Sequence, residues 1–167
     1  MNFLLLTNSG LKVREETDRA DIVIFINGIP FVVIECKSPV AKQTGVSDAI
    51  KGLIRYQDEI PQLFYTNEIL IRLNLFGARY GTILSIPEFF HEWKDMRAEK
   101  FANMADHPSV KEMLDLGLIK KEDLSESPTA QEVLIAGILN KKNLLDIIQN
   151  FIVYELEQKQ RRTVKNS

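Results

Sequence analysis

The sequence contains a single cysteine, Cys36, among its 167 residues. No disulfide can close within the chain, and no cysteine-based zinc site can form. Histidine is nearly as scarce. His91 and His107 lie in unrelated polar and aromatic stretches, which argues against a shared metal. No apolar run approaches the roughly 20 residues of a transmembrane helix. No positively charged segment precedes the first apolar residues, which speaks against a secretion signal. The expectation is a cytoplasmic protein with no membrane partner. The motif G-x-x-x-x-G-K-[ST] is absent, so ATP hydrolysis is not encoded in these residues. Internal repeats and low-complexity tracts are lacking too. Positive charge is not in excess: 21 basic and 23 acidic residues leave a formal net charge of -2. Any attraction to nucleic acid must therefore come from a local patch.

What is present is ordinary globular material, 45% hydrophobic and 26% charged, enough for one domain with a real core. Its centre is Asp21–Pro39, DIVIFINGIPFVVIECKSP. Two β-branched and aromatic runs, Ile22–Ile26 and Phe31–Ile34, read as strands. Asn27-Gly28 between them is a strong hairpin signal, because both residues tolerate positive φ. The runs are continuous rather than alternating, which predicts strands covered on both faces.

Charge interrupts this core at Asp21, Glu35 and Lys37. Glu35 and Lys37 are two apart and share a face. A hairpin turning near residue 28 folds position 21 back onto position 35. Two carboxylates and an ammonium then converge, the carboxylates as ligands for a hard cation such as Mg²⁺. The lysine beside them orients or deprotonates a water. Either residue alone would only mark a strand emerging into solvent. The combination behind a hydrophobic hairpin points to a site. Cys36, between the two, is expected on the opposite face as a small buried hydrophobe.

This spacing, D-x(13)-E-C-K, resembles the PD-(D/E)XK nuclease core. The wider text, RADIVIFINGIPFVVIECKSP followed by AIKGLIRYQDEIPQLFYTNEILI, is similar to the nuclease domain of the R (restriction) subunit of type I restriction-modification enzymes. The similarity is strong from about Val13 through Trp93 and weaker beyond; Ala20 stands where the family pattern has proline. The resemblance implies an α/β fold, a restriction-endonuclease-like mixed sheet with helices on both faces and additional C-terminal helices. It implies a nuclease core over 1–94 and a helical extension over 95–167 leading toward a motor domain that these residues do not contain. Asp21, Glu35 and Lys37 become the catalytic residues. Asp21, Glu35 and the backbone carbonyl of Cys36 become ligands of Mg²⁺ or Mn²⁺, and ATP enters only through the motor. The implied partners are double-stranded DNA and the modification and specificity subunits. A helical segment that precedes this point in the family is missing or replaced, so an excised or truncated domain is expected.

The remaining chain supplies strands and helices around that centre. Leu11–Glu16 reads as an edge strand. Gly45–Gln57 reads as a helix with Val46, Ile50, Leu53, Ile54 and Tyr56 on one face. Gly52 in its middle costs about 0.5–1 kcal/mol relative to alanine. The resembled domain carries a glutamine four residues before a tyrosine here. Tyr56 is in register and Gly52 takes the glutamine's place, unless Lys51 or Gln57 compensates. Ile69–Leu73 and Tyr80–Leu84 read as two further strands, with Gly81 marking a bulge or close approach. Phe89, Phe90 and Trp93 have helical spacing and read as core. Lys94–Pro108 reads as a mobile polar loop. Helices are expected over Val110–Ile119, from Thr129 or Ser127 through Leu139, and from Asn143 to about Lys159.

The implied reaction is hydrolysis of phosphodiester bonds in double-stranded DNA, inside an ATP-dependent translocating complex. Lys37 either stabilises developing charge or accepts a proton. The alternative is a catalytically degenerate domain, serving as a structural or DNA-docking module, for which Gly52 speaks.

Overall fold

Asn27 and Gly28 both adopt positive φ, 51° and 85°. They close a two-residue hairpin between β2 (Ile22–Ile26) and β3 (Ile29–Lys37). Positive φ at both central positions matches the right-handed twist of paired strands. The computed structural model describes residues 3–7, 20–37, 45–74, 77–94 and 102–152. The expected edge strand at Leu11–Glu16 lies outside them.

β2 and β3 pair antiparallel, Ile26 with Ile29 and Phe25 with Pro30, until the register shifts between Ile24 and Phe25. Beyond the shift Ile24 pairs with Val32 and Ile22 with Ile34. Phe31 is the extra residue of this bulge. It follows Pro30, which has no N–H to give the ladder. The chain then passes through α1 (Gly45–Glu59) and the short α2 (Pro61–Phe64). It returns as β4 (Ile69–Asn74), parallel to β3. β5 (Gly77–Thr82) pairs antiparallel with β4 as a hairpin, with Asn74 opposite Gly77. β1 (Phe3–Thr7) pairs antiparallel with β2, and the mixed five-stranded sheet runs β1-β2-β3-β4-β5.

Helices cover both faces, as the unbroken apolar runs require. On one face Val23, Val33 and Leu70 pack against Ile50, Leu53 and Tyr56 of α1. On the other, Ile24, Ile34, Ile71 and Leu73 meet α4 (Ala130–Ile138) and α5 (Lys141–Asn150) through Leu134, Ile138 and Leu144. α3 (Pro108–Asp115) packs Val110 on Met104 and Ala136 in a smaller third cluster. Local chemistry sets the helix ends. Thr129 and Glu132 form a reciprocal capping box at α4, and Asn140 caps α5. Gly117, at φ 67°, turns the chain after α3.

Several expectations need correction. The helical spacing of Phe89, Phe90 and Trp93 does not place them on one helix; the chain makes one 3₁₀ turn at Pro87–Phe89 and then bridges His91 to Tyr80. Pro87 starts the turn, and pairing with the edge of β5 ends it. Phe90 is buried over Gly81, while Phe89 is exposed. An added Cβ at Gly81 would stand 3.0 Å from the Phe90 ring, so the close approach is real. The described part of Lys94–Pro108 is not an open loop, because Met104 is buried within a 3₁₀ turn. The last described helix begins at Lys141, where Asn140 caps it, and ends at Asn150; the remainder of the expected helix, from residue 153 to 159, lies outside the described residues.

Candidate active site

The bulge decides which residues meet. A two-residue turn with unbroken register would set Asp21 opposite Ile34. The extra residue Phe31 shifts the ladder by one, so the pairing of Ile22 with Ile34 extends to Asp21 beside Glu35. Strand alternation then places Asp21, Glu35 and Lys37 on the face that α1 covers, in line with Val23 and Val33. This juxtaposition is the one expected from the sequence.

Asp21 Oδ2 accepts a 2.7 Å hydrogen bond from the backbone N–H of Cys36. The aspartate thereby latches the open end of the hairpin, past the last paired strand residues. Glu35 is only 3% exposed. Its Oε1 accepts from Lys37 Nζ at 2.7 Å and, weakly, from the Tyr56 hydroxyl at 3.5 Å. Its Oε2 is buried with no hydrogen-bond partner among the described residues. Burial raises the Glu35 pKa above the ordinary carboxylate value. The Lys37 hydrogen bond opposes that rise, and the Asp21 charge adds to it.

Cys36 departs from expectation. It lies on the opposite face, but it is exposed rather than buried. It sits at the end of β3, beyond the apolar cover that Leu134, Ile138 and Leu144 give to Ile34. Partial burial of the thiol, then the charges of Asp21 and Glu35, push its pKa up, which disfavours a reactive thiolate.

Tyr56 and Gly52 both lie on α1, one turn apart. Tyr56 is buried, with the Arg55 guanidinium 5.7 Å from its ring centroid. A Cβ at Gly52 would meet nothing within 4 Å, so the position accepts a side chain. Gln57 does not take its place at the site. Its Oε1 accepts from Leu84 N at 2.9 Å and its Nε2 donates to Leu53 O. That bond braces Leu84, which holds a positive φ of 64°. His91 is exposed and His107 is buried at the N-cap of α3, where its Nδ1 accepts from Ser109 N.

Sequence reasoning passed over Arg72. It stands next to Glu35 in the β3–β4 register and is 2% exposed. The available signal was an arginine inside ILIRLN, a strand otherwise buried on both faces.

Among the described residues no group of three or more His, Cys, Asp and Glu side chains gathers to hold a metal ion. The local donor set nonetheless fits a hard cation that also takes backbone and water oxygens. It offers two neighbouring carboxylates, one with a buried oxygen that no protein donor satisfies.

The sequence matches the family described as "Type I restriction enzyme R protein N terminus" (HSDR_N) over residues 4–88. It is 33% identical over 136 residues to the type I restriction enzyme HindI endonuclease subunit of Haemophilus influenzae, a match covering 81% of this chain and 11% of that protein. Two inferred type I restriction enzyme endonuclease subunits of Methanocaldococcus jannaschii are also similar. MjaIXP is 35% identical over 81 residues, 48% of this chain and 8% of that protein. MjaVIIIP is 28% identical over 144 residues, 86% of this chain and 11% of that protein. The chain thus spans about a tenth of the length of the curated relatives it matches.

Proposed function

We propose, from the premise that this chain belongs to the family of type I restriction enzyme R protein N-terminal regions, that it is a PD-(D/E)XK endonuclease domain. Its substrate is double-stranded DNA, whose phosphodiester bonds it hydrolyses within a complex with modification and specificity subunits. ATP-driven movement of the DNA belongs to other parts of such an enzyme. The observation that carries this reading is Glu35: a buried carboxylate beside Asp21, bonded to Lys37 through one oxygen and unsatisfied at the other.

Asp21 and Glu35 would hold Mg²⁺ or Mn²⁺, with the Cys36 carbonyl as a further oxygen ligand. A hard cation held there would supply charge neutralisation at the phosphate and activation of a water. The chain's own residues do the positioning. Asp21 is oriented by the Cys36 N–H, and Glu35 by Lys37 on one side and Tyr56 on the other. Lys37 donates to Glu35, which would hold its Nζ where it can stabilise negative charge developing on the phosphate. The α1 face excludes water from Glu35 and strengthens each of these interactions.

The second reading, a degenerate docking module, is favoured by Gly52. There the α1 face offers no side-chain amide one turn from Tyr56. Titration calorimetry with Mn²⁺ separates metal-competent from metal-blind forms. The nuclease reading expects binding by the wild type and loss of most of it in Asp21→Asn. Unchanged affinity in that variant would refute the assignment of Asp21.

A further inference from the structure

Arg72 is a buried cation with no anion bonded to it among the described residues. It is 2% exposed, and its Nε and Nη2 have no hydrogen-bond partner among the described residues. Those two atoms form the lateral edge of the guanidinium fork, the edge that fits a carboxylate. Burial lowers the Arg72 pKa, and the neighbouring Arg79 charge lowers it further, so the site calls for negative charge.

The parallel pairing of β3 with β4 sets Glu35 beside Arg72, two positions on from Val33 beside Leu70. Val33 and Leu70 both pack under α1, so Glu35 and Arg72 share that face. Neighbouring strands lie about 4.8 Å apart, well within the combined reach of a glutamate and an arginine. Glu35 Oε1 is occupied by Lys37, whereas Oε2 is buried and unsatisfied. Arg79, on the other flank of Arg72, is engaged with Glu92 at 3.4 Å and half-exposed. The unmatched donors and the unmatched acceptor thus belong to ladder neighbours, each shut away from water. A buried charge left alone is far costlier than one that is paired.

We propose that Arg72 is a positioning residue for Glu35. Its guanidinium takes the free Oε2 when no divalent cation is present, and gives it up when one binds. Arg72 is then a placeholder that keeps the carboxylate correctly turned, and that competes with the cation. This rests on the nuclease reading for its second half only; the pairing itself stands apart from it.

Two measurements test the proposal on this chain. The first is a double-mutant cycle in thermal stability without metal, using Glu35→Gln, Arg72→Met and the pair. Effects that fail to add, with the second substitution doing less damage once the first is made, support the pairing. Additive effects overturn it. The second is Mn²⁺ calorimetry. Arg72→Met is expected to tighten binding roughly five-fold or more, while Arg79→Met, which removes a charge one strand further away, changes it less. Unchanged or weaker binding in Arg72→Met overturns the competition. Should that variant fail to fold, Arg72→Gln carries both measurements under the same criteria. If Arg72→Met instead weakens binding of a DNA duplex, with an additive cycle and unaltered Mn²⁺ affinity, Arg72 is a phosphate contact and the proposal falls. A wild type that binds no Mn²⁺ refutes the nuclease reading, yet leaves the cycle to decide the pair.

Discussion

At the scale of single residues, the site is a problem of crowded negative charge. Asp21 and Glu35 are neighbours, and the Asp21 charge is one cause of the raised Glu35 pKa. Asp21→Asn removes that repulsion while an amide oxygen can still accept from the Cys36 N–H. We expect the metal-free variant to be more stable at neutral pH, by about 1 kcal/mol or some 2–4 °C in Tm. The sign with pH follows from Glu35. Its folded pKa lies above its unfolded value, so the folded protein holds the proton more tightly and acidification neutralises Glu35 early. The advantage of Asp21→Asn is therefore present above the folded Glu35 pKa and shrinks as pH falls through it. Thermal melts of both proteins across the acidic range check this. An advantage that grows on acidification would contradict the assignment.

Elements here are held by chemistry at their ends and by one very close contact. At α4, Glu132 accepts from the N–H groups of Ser125 and Thr129 and from the Thr129 hydroxyl, at 2.8, 2.9 and 2.7 Å. Burial acts to raise its pKa, but these bonds outweigh it and leave the value lowered. A depressed carboxylate stabilises the fold above its unfolded pKa, and that contribution is lost as pH falls through the folded value. Glu132→Ala should cost about 1 kcal/mol at neutral pH, the usual worth of a cap, and much less in acid. Equilibrium denaturation at two pH values reads it out. The close contact is between α4 and Trp93. A Cβ on Gly137 would come within 1.9 Å of the indole Nε1, so Trp93 lies directly on the helix backbone. Its ring also meets Tyr80 edge-on at 5.7 Å. Gly137→Ala must push the indole away, at about 1–3 kcal/mol by the cost of overpacking. Trp93 is the sole tryptophan, so its fluorescence should shift together with the loss of stability. Unaltered emission would show that the contact yields without cost.

For the whole molecule the question is what one helix face contributes to the proposed nuclease site. α1 covers the carboxylates, brings Tyr56 to Glu35 and leaves room at Gly52. Gly52→Gln would restore a side-chain amide one turn from Tyr56. It should also stabilise the helix by about 0.5–1 kcal/mol, since glycine is a poor helix interior residue. Introduced into the full-length enzyme, it is expected to raise DNA cleavage at unchanged Mn²⁺ affinity. The gain is on the order of 10²-fold if substrate positioning is what Gly52 impairs. Equal cleavage by both forms would mark Gly52 as a tolerated variation and remove the main support for the docking-module reading.

Much of this was legible in the residues themselves. The unbroken runs Ile22–Ile26 and Phe31–Ile34 required cover on both faces, and Asn27-Gly28 required a tight hairpin, because hydrophobic burial and positive φ are local demands. Alternation placed Glu35 and Lys37 together and Cys36 opposite, since a strand has a period of two. What the sequence left open depends on where elements end in space. Cys36 is exposed because the helical cover stops short of it, and Phe89, read as core, is exposed because the chain there makes a 3₁₀ turn. The meeting of Asp21 with Glu35 was anticipated by counting from a centre near residue 28, but the turn is centred between 27 and 28. The extra residue at Phe31 makes up the difference. Arg72 became significant only through the parallel register with β3, a pairing between strands more than thirty residues apart. Local propensities act over a few residues, whereas the neighbour of a buried charge is chosen by packing of the whole sheet.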